Sequence, residues 1–126
     1  MLNLAQNGLC TLPSDLSFFQ TLLELNLSAN NFASDSTLVE PALLFMALGT
    51  LPQLRKLNLS RNKFTMFHSE QLIIRSNPNT VFSYLEELNF AFNLVTDEHA
   101  LVFPVQQYPS LKCLIITGNP FAIAAD

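Results

Sequence analysis

Five asparagines, Asn7, Asn30, Asn62, Asn93 and Asn119, each close the same phrase, and nothing else in the chain constrains the fold as tightly. The phrase is L-x-x-L-x-L-x-x-N-x-L/F, and its copies run LNLAQNGL, LLELNLSANNF, LRKLNLSRNKF, LEELNFAFNLV and LKCLIITGNPF. Successive asparagines lie 23, 32, 31 and 26 residues apart. Five copies at such intervals imply stacked units, each burying its apolar face against the next. Within a copy the L-x-L core alternates, as a short strand with one buried face does. Leu22, Leu25, Leu27 and Phe32 form one inward set. Leu54, Leu57, Leu59 and Phe64 repeat it, followed by Leu85, Leu88, Phe90 and Val95, then by Leu111, Leu114, Ile116 and Phe121. Units that run the same way pair their strands in parallel, so each return path must cross the opposite side of the sheet. An asparagine at the ninth position suits a tight, buried turn, where its amide can satisfy backbone groups left unpaired by the bend.

This phrase is the leucine-rich repeat signature, and the chain resembles leucine-rich repeat proteins over essentially its whole length. The fold expected from that resemblance is α/β: a leucine-rich repeat solenoid with a curved parallel sheet on the concave side and helices and irregular loops on the convex side. Residues 1–126 are expected to form a single domain of about four and a half repeats. Two of the gaps exceed the usual unit of about 20–29 residues and must hold extra convex structure. In the first, Ser34, Asp35 and Ser36 offer N-caps and Pro41 suits a first helical turn. Residues 42–48 then read as an apolar helix that stops at Gly49. A helix apolar all round is covered on more than one side, by the next insertion or by another protein through Phe45 or Met46. In the second gap Ser69 can cap a short turn over 70–74, before a loop over 75–80. In the last, Thr96, Asp97 and Glu98 form a weak cap ahead of Pro104 and Pro109. The chain opens in the middle of a repeat and carries no polar capping unit, so it is expected to be a piece of a longer protein.

Composition narrows the function. Hydrophobic residues make up 49% and charged residues 13%, which excludes a disordered chain. The longest apolar run, 42–48, falls short of the roughly 18 residues that a membrane helix needs. A net charge of −4 with only six Lys and Arg argues against a nucleic-acid surface. Cys10 and Cys113 lie in different repeats without the terminal cysteine clusters of secreted relatives, so an intracellular compartment is expected. The Asn26-Leu27-Ser28 and Asn58-Leu59-Ser60 glycan patterns come from the repeat consensus itself. His68 and His99 have no nucleophile paired with them, Asp97-Glu98-His99 has no second ligand set, and only three glycines occur. The expectation is a non-enzymatic chain with no cofactor and no metal.

Candidate binding residues lie in the columns that point away from the core. The third position runs Glu24, Lys56, Glu87, Cys113, and the second runs Leu23, Arg55, Glu86, Lys112. Strands about 4.8 Å apart stack opposite charges: Glu24 with Lys56, Lys56 with Glu87, Arg55 with Glu86, and Glu86 with Lys112. The ladder can serve register and solubility or be read by a partner. The fifth position, Asn3, Asn26, Asn58, Asn89 and Ile115, is expected to pair amide to amide along the row or to bond a peptide. The eighth, Gln6, Ala29, Arg61, Phe92 and Gly118, sets Arg61 beside Phe92. These two can stack on each other or anchor an interface, where Arg and aromatics are enriched. The candidate partner-binding set is therefore Arg61, Phe92, Asn58, Asn89, Lys56, Glu87 and Ile115.

A narrower resemblance rests on two stretches. Residues 6–13, QNGLCTLP, are similar to a segment of the X-ray radiation resistance-associated proteins. So is the end of the chain, from Leu85-Glu86-Glu87-Leu88 through Asp97-Glu98-His99, Pro104-Val105 and Tyr108-Pro109-Ser110-Leu111 to Gly118-Asn119-Pro120. That resemblance implies a cytoplasmic or nuclear protein linked by name to radiation response, with no catalytic residues to carry over. The function expected is a non-catalytic protein–protein interaction module that binds a protein partner on its concave face, with neither nucleic acid nor membrane as partner. Two alternatives stay open: a structural component of a large intracellular assembly, ciliary or cytoskeletal, or the recognition domain of an enzyme whose catalytic part lies elsewhere.

Overall fold

A computed structural model describes residues 2–8, 21–32, 48, 51–66, 82, 84–97, 99, 108 and 110–121. Its strands are β1 (Leu2–Asn3), β2 (Glu24–Asn26), β3 (Lys56–Asn58), β4 (Glu87–Asn89) and β5 (Cys113–Ile115), one for each copy of the phrase. They form a five-stranded parallel sheet in chain order. The register is the one the alternation predicts, since Leu25, Leu57, Leu88 and Leu114 face one another across successive strands.

The inward leucines are buried with a file of phenylalanines behind them. Leu25, Leu27, Leu57, Leu59, Leu88 and Phe90 are at most 4% exposed. Phe32, Phe64 and Phe90 form a spine, with ring centroids 6.3 Å apart and nearly parallel in the first pair and 5.5 Å apart in the second. A column not anticipated from the sequence completes the core. Leu51, Phe82 and Tyr108 each sit three residues before a ladder leucine, and all three are buried. Leu85 and Leu111 donate their N–H groups back to the carbonyls of Phe82 and Tyr108, so a tight turn delivers β4 and β5 into the sheet. Phe82 and Tyr108 pack edge to face at 5.3 Å.

The ladder asparagines tie consecutive repeats together. Asn62 Oδ1 accepts from the Phe32 N–H, while its Nδ2 donates to the carbonyls of Leu27, Leu59 and Ser60. Asn93 does the same with Phe64, Leu59, Phe90 and Ala91, and Asn119 accepts from Val95 and donates to Phe90 and Ile116. Each amide therefore serves its own turn and the turn before it, and no buried side-chain polar atom among the described residues lacks a partner. The Asn7 side chain is exposed and donates to the Leu4 carbonyl within its own turn, and the Asn7 N–H donates to Asn30 Oδ1 of the next copy.

Of the convex helix expected over 42–48, only Leu48 falls among the described residues, where it is helical and buried. The other convex segments expected at 34–36, 69–80 and 104–109, together with Cys10 and His68, lie outside them, except for Tyr108.

Candidate functional site

The open face of the sheet is built from the residues between the inward leucines, and the register fixes its columns. Lys56 stands opposite Glu24 on one side and Glu87 on the other, with Cys113 beyond. Three of the four ion pairs expected from the sequence form. Lys56 Nζ lies 3.4 Å from Glu24, and Glu86 takes Arg55 at 3.8 Å and Lys112 at 3.6 Å on its two oxygens. The fourth, Lys56 with Glu87, does not. A single ammonium between two carboxylates reaches Glu24, and Glu87 is left with no ion pair among the described residues. All of these groups are substantially exposed, so each pair contributes at most about 1 kcal/mol.

The fifth column corrects a second expectation. Its asparagines do not pair along the row. Each turns its Oδ1 inward along its own chain to accept the N–H two residues ahead: Asn3 from Ala5, Asn26 from Ser28, Asn58 from Ser60 and Asn89 from Ala91, at 2.9–3.1 Å. The Ser60 hydroxyl adds a 2.7 Å bond to Asn58 Oδ1. Asn readily closes such local turns, and the bend after each strand supplies the N–H. Each Oδ1 is thereby engaged in its own turn, while the Nδ2 donors of Asn26, Asn58 and Asn89 make no hydrogen bond among the described residues.

The eighth column shares a conformation that its residue types conceal. Gln6, Ala29, Arg61, Phe92 and Gly118 all have positive φ, between 56° and 80°. The turn after each strand requires a left-handed residue there, and only the last copy supplies the glycine that adopts it without strain. That glycine is also needed for space: a Cβ on Gly118 would lie 2.3 Å from the Phe92 ring. Phe92 thus rests directly on Gly118, and the Arg61 guanidinium lies 4.4 Å from its ring centroid. The ring still leaves Phe92 45% exposed.

A cavity of about 220 Å³ opens on this face. Lys56, Asn58, Glu87, Asn89 and Ile115 line it, joined by Glu24 and Asn26. Five of the seven candidate residues are therefore brought together, whereas Arg61 and Phe92 stand apart from the cavity at the turn. Asp97 Oδ1 accepts the His99 N–H at 3.0 Å, a local cap. Cys113 is a free, exposed thiol at the end of the third column.

The Leucine Rich Repeat family model matches residues 53–73, the copy that contains β3 and Asn62. Together with the five-stranded parallel sheet, this supports a leucine-rich repeat protein. Comparisons with curated proteins and with solved structures gave no match. Leucine-rich repeats are generally protein-interaction modules and typically non-catalytic ones. In such a chain the inward columns build the scaffold, and individuality is left to the outward ones.

Proposed function

We propose that this chain is a non-catalytic interaction module that binds a protein partner on the open, concave face of its sheet. The observation that carries this reading is the cavity lined by the third and fifth columns. One side of each strand is sealed against the leucine and phenylalanine core, while the other presents polar groups around a recess. The exposed Arg61–Phe92 stack, apart from the recess at the turn, offers a second anchor whose ring is held against Gly118. Affinity capture with the tagged protein, compared with Asn58→Tyr and with Arg61→Ala/Phe92→Ala, tests the reading. Asn58→Tyr fills the recess and is expected to lose the proteins that wild type retains, with partial loss in the double variant. Capture of the same proteins by both variants would sink the proposal.

A further inference from the structure

The charged groups of the open face pair off, with one exception. Lys56 holds Glu24, Arg55 and Lys112 flank Glu86, and Arg61 covers the Phe92 ring. Glu87 has no cation among the described residues, although it lines the recess at the centre of the sheet. Beside it, Asn58 and Asn89 turn their Oδ1 atoms to their own turns, so that each presents its amide donor to the recess. Next to Asn89 in the register stands Ile115, 39% exposed, where the other strands carry asparagine. The recess thus offers an unpaired carboxylate, the amide donors of Asn26, Asn58 and Asn89, and an aliphatic patch.

An occupant that matches must bring a cation, carbonyl acceptors and an apolar group. Anionic ligands are disfavoured by Glu24 and Glu87, and a single unpaired carboxylate is too few ligands for a divalent cation. A polypeptide segment has all three features, and the net charge of −4 draws a basic one. We propose that the recess takes a lysine- or arginine-bearing segment of the partner protein. Glu87 holds its cation, the Nδ2 groups of Asn58 and Asn89 donate to its backbone carbonyls, and Ile115 packs on a neighbouring aliphatic side chain. This rests on the open face being the binding face.

The test is selection from a random phage-displayed peptide library against the wild-type chain and against Asn58→Tyr. Synthetic copies of the selected peptides are then titrated against wild type, Glu87→Gln and Glu87→Lys. Thermal melts confirm that these exposed-site variants remain folded. Peptides selected by wild type and lost with Asn58→Tyr are expected to share a Lys or Arg. They should bind Glu87→Gln about tenfold more weakly, and Glu87→Lys more weakly still, with wild-type binding falling as salt rises. Peptides that are lost with Asn58→Tyr but lack a basic residue, or are indifferent to Glu87→Gln, overturn this inference and leave the binding face standing. Peptides that bind Asn58→Tyr as well as wild type overturn both, and a wild-type chain that selects nothing overturns the inference.

Discussion

Phe92 holds a backbone conformation that L-residues avoid, at a cost of about 1–2 kcal/mol, and it does so because the turn before Asn93 demands it. Part of that cost is returned by the ring, which lies on Gly118 and under Arg61. Gly118→Ala should therefore destabilise by roughly 2–4 kcal/mol in urea denaturation, from a strained φ and a collision with the ring. In a Phe92→Ala background the same change should cost only about 1 kcal/mol, because the collision is gone. Strictly additive effects in this double-mutant cycle would show that the ring does not rest on Gly118. Tyr108 belongs to the same scale. Burial against Phe82 pushes its phenol from 10.0 up to about 12. The folded state therefore keeps a proton that the unfolded chain loses as pH climbs past 10, and the unfolded state gains by that ionisation. Stability from this group is complete below pH 10 and declines up to about pH 12, by roughly 2–3 kcal/mol. Denaturation midpoints followed from pH 8 upward should fall more steeply for wild type than for Tyr108→Phe; equal slopes would remove Tyr108 as the cause.

At the level of the element, each repeat is a short strand, a left-handed residue and an asparagine, and the asparagine binds it to the copy before. Asn62→Ala removes one acceptor and the donors to three carbonyls in a buried turn. The Phe32 N–H is left without its acceptor at a cost of about 1–3 kcal/mol. The Leu27, Leu59 and Ser60 carbonyls each lose one donor and keep Asn30, Asn93 and the Ala29 N–H, so a loss of roughly 2–4 kcal/mol is expected. Asn58→Ala takes one shared acceptor from the N–H and hydroxyl of Ser60, a residue 7% exposed beside the partly exposed Asn58, and should cost about 1–2 kcal/mol. Equal losses in thermal denaturation would contradict the division of labour between the two columns. That division was legible in the sequence only in part. The pairing of Leu25 with Leu57 and of Glu24 with Lys56 follows from the period alone, and the structure has both. The fate of the fifth-column amides does not follow. A neighbour's amide NH2 and the chain's own N–H two residues ahead are equivalent donors to an asparagine oxygen, and the choice depends on a bend with positive φ at the eighth position. Gln, Ala, Arg and Phe there disguise it, with Gly118-Asn119 the single overt sign. Likewise the preference of Lys56 for Glu24 over Glu87 is a matter of side-chain conformation between two equal partners. The column of Leu51, Phe82 and Tyr108 was hidden because its three residue types differ, although each precedes a ladder leucine by three positions.

Across the whole molecule, stability is a chain of nearest-neighbour couplings, because every strand touches only the copies beside it. Phe64 is the link where those couplings concentrate: it is fully buried and packs on Phe32 in one repeat and on Phe90 in another. Phe64→Ala should cost about 3–5 kcal/mol through lost burial and the cavity left behind. The manner of the loss discriminates more sharply than its size. If the described repeats unfold as one unit, hydrogen exchange at the Leu27, Leu59 and Phe90 amides, each bonded to the next strand, should accelerate together in the variant. If the spine is only a local contact, Leu59 alone should accelerate while Leu27 and Phe90 keep their wild-type protection. The Leu4 amide bonds to Asn26 at the edge of the sheet, where β1 has a neighbour on one side only, and should exchange fastest in both proteins. A uniform change at the three central amides, with Leu4 insensitive, is the expected outcome. It would mean that the outward columns sit on a single cooperative support, so that a substitution on the open face can be read as a change in binding once the melt is unchanged.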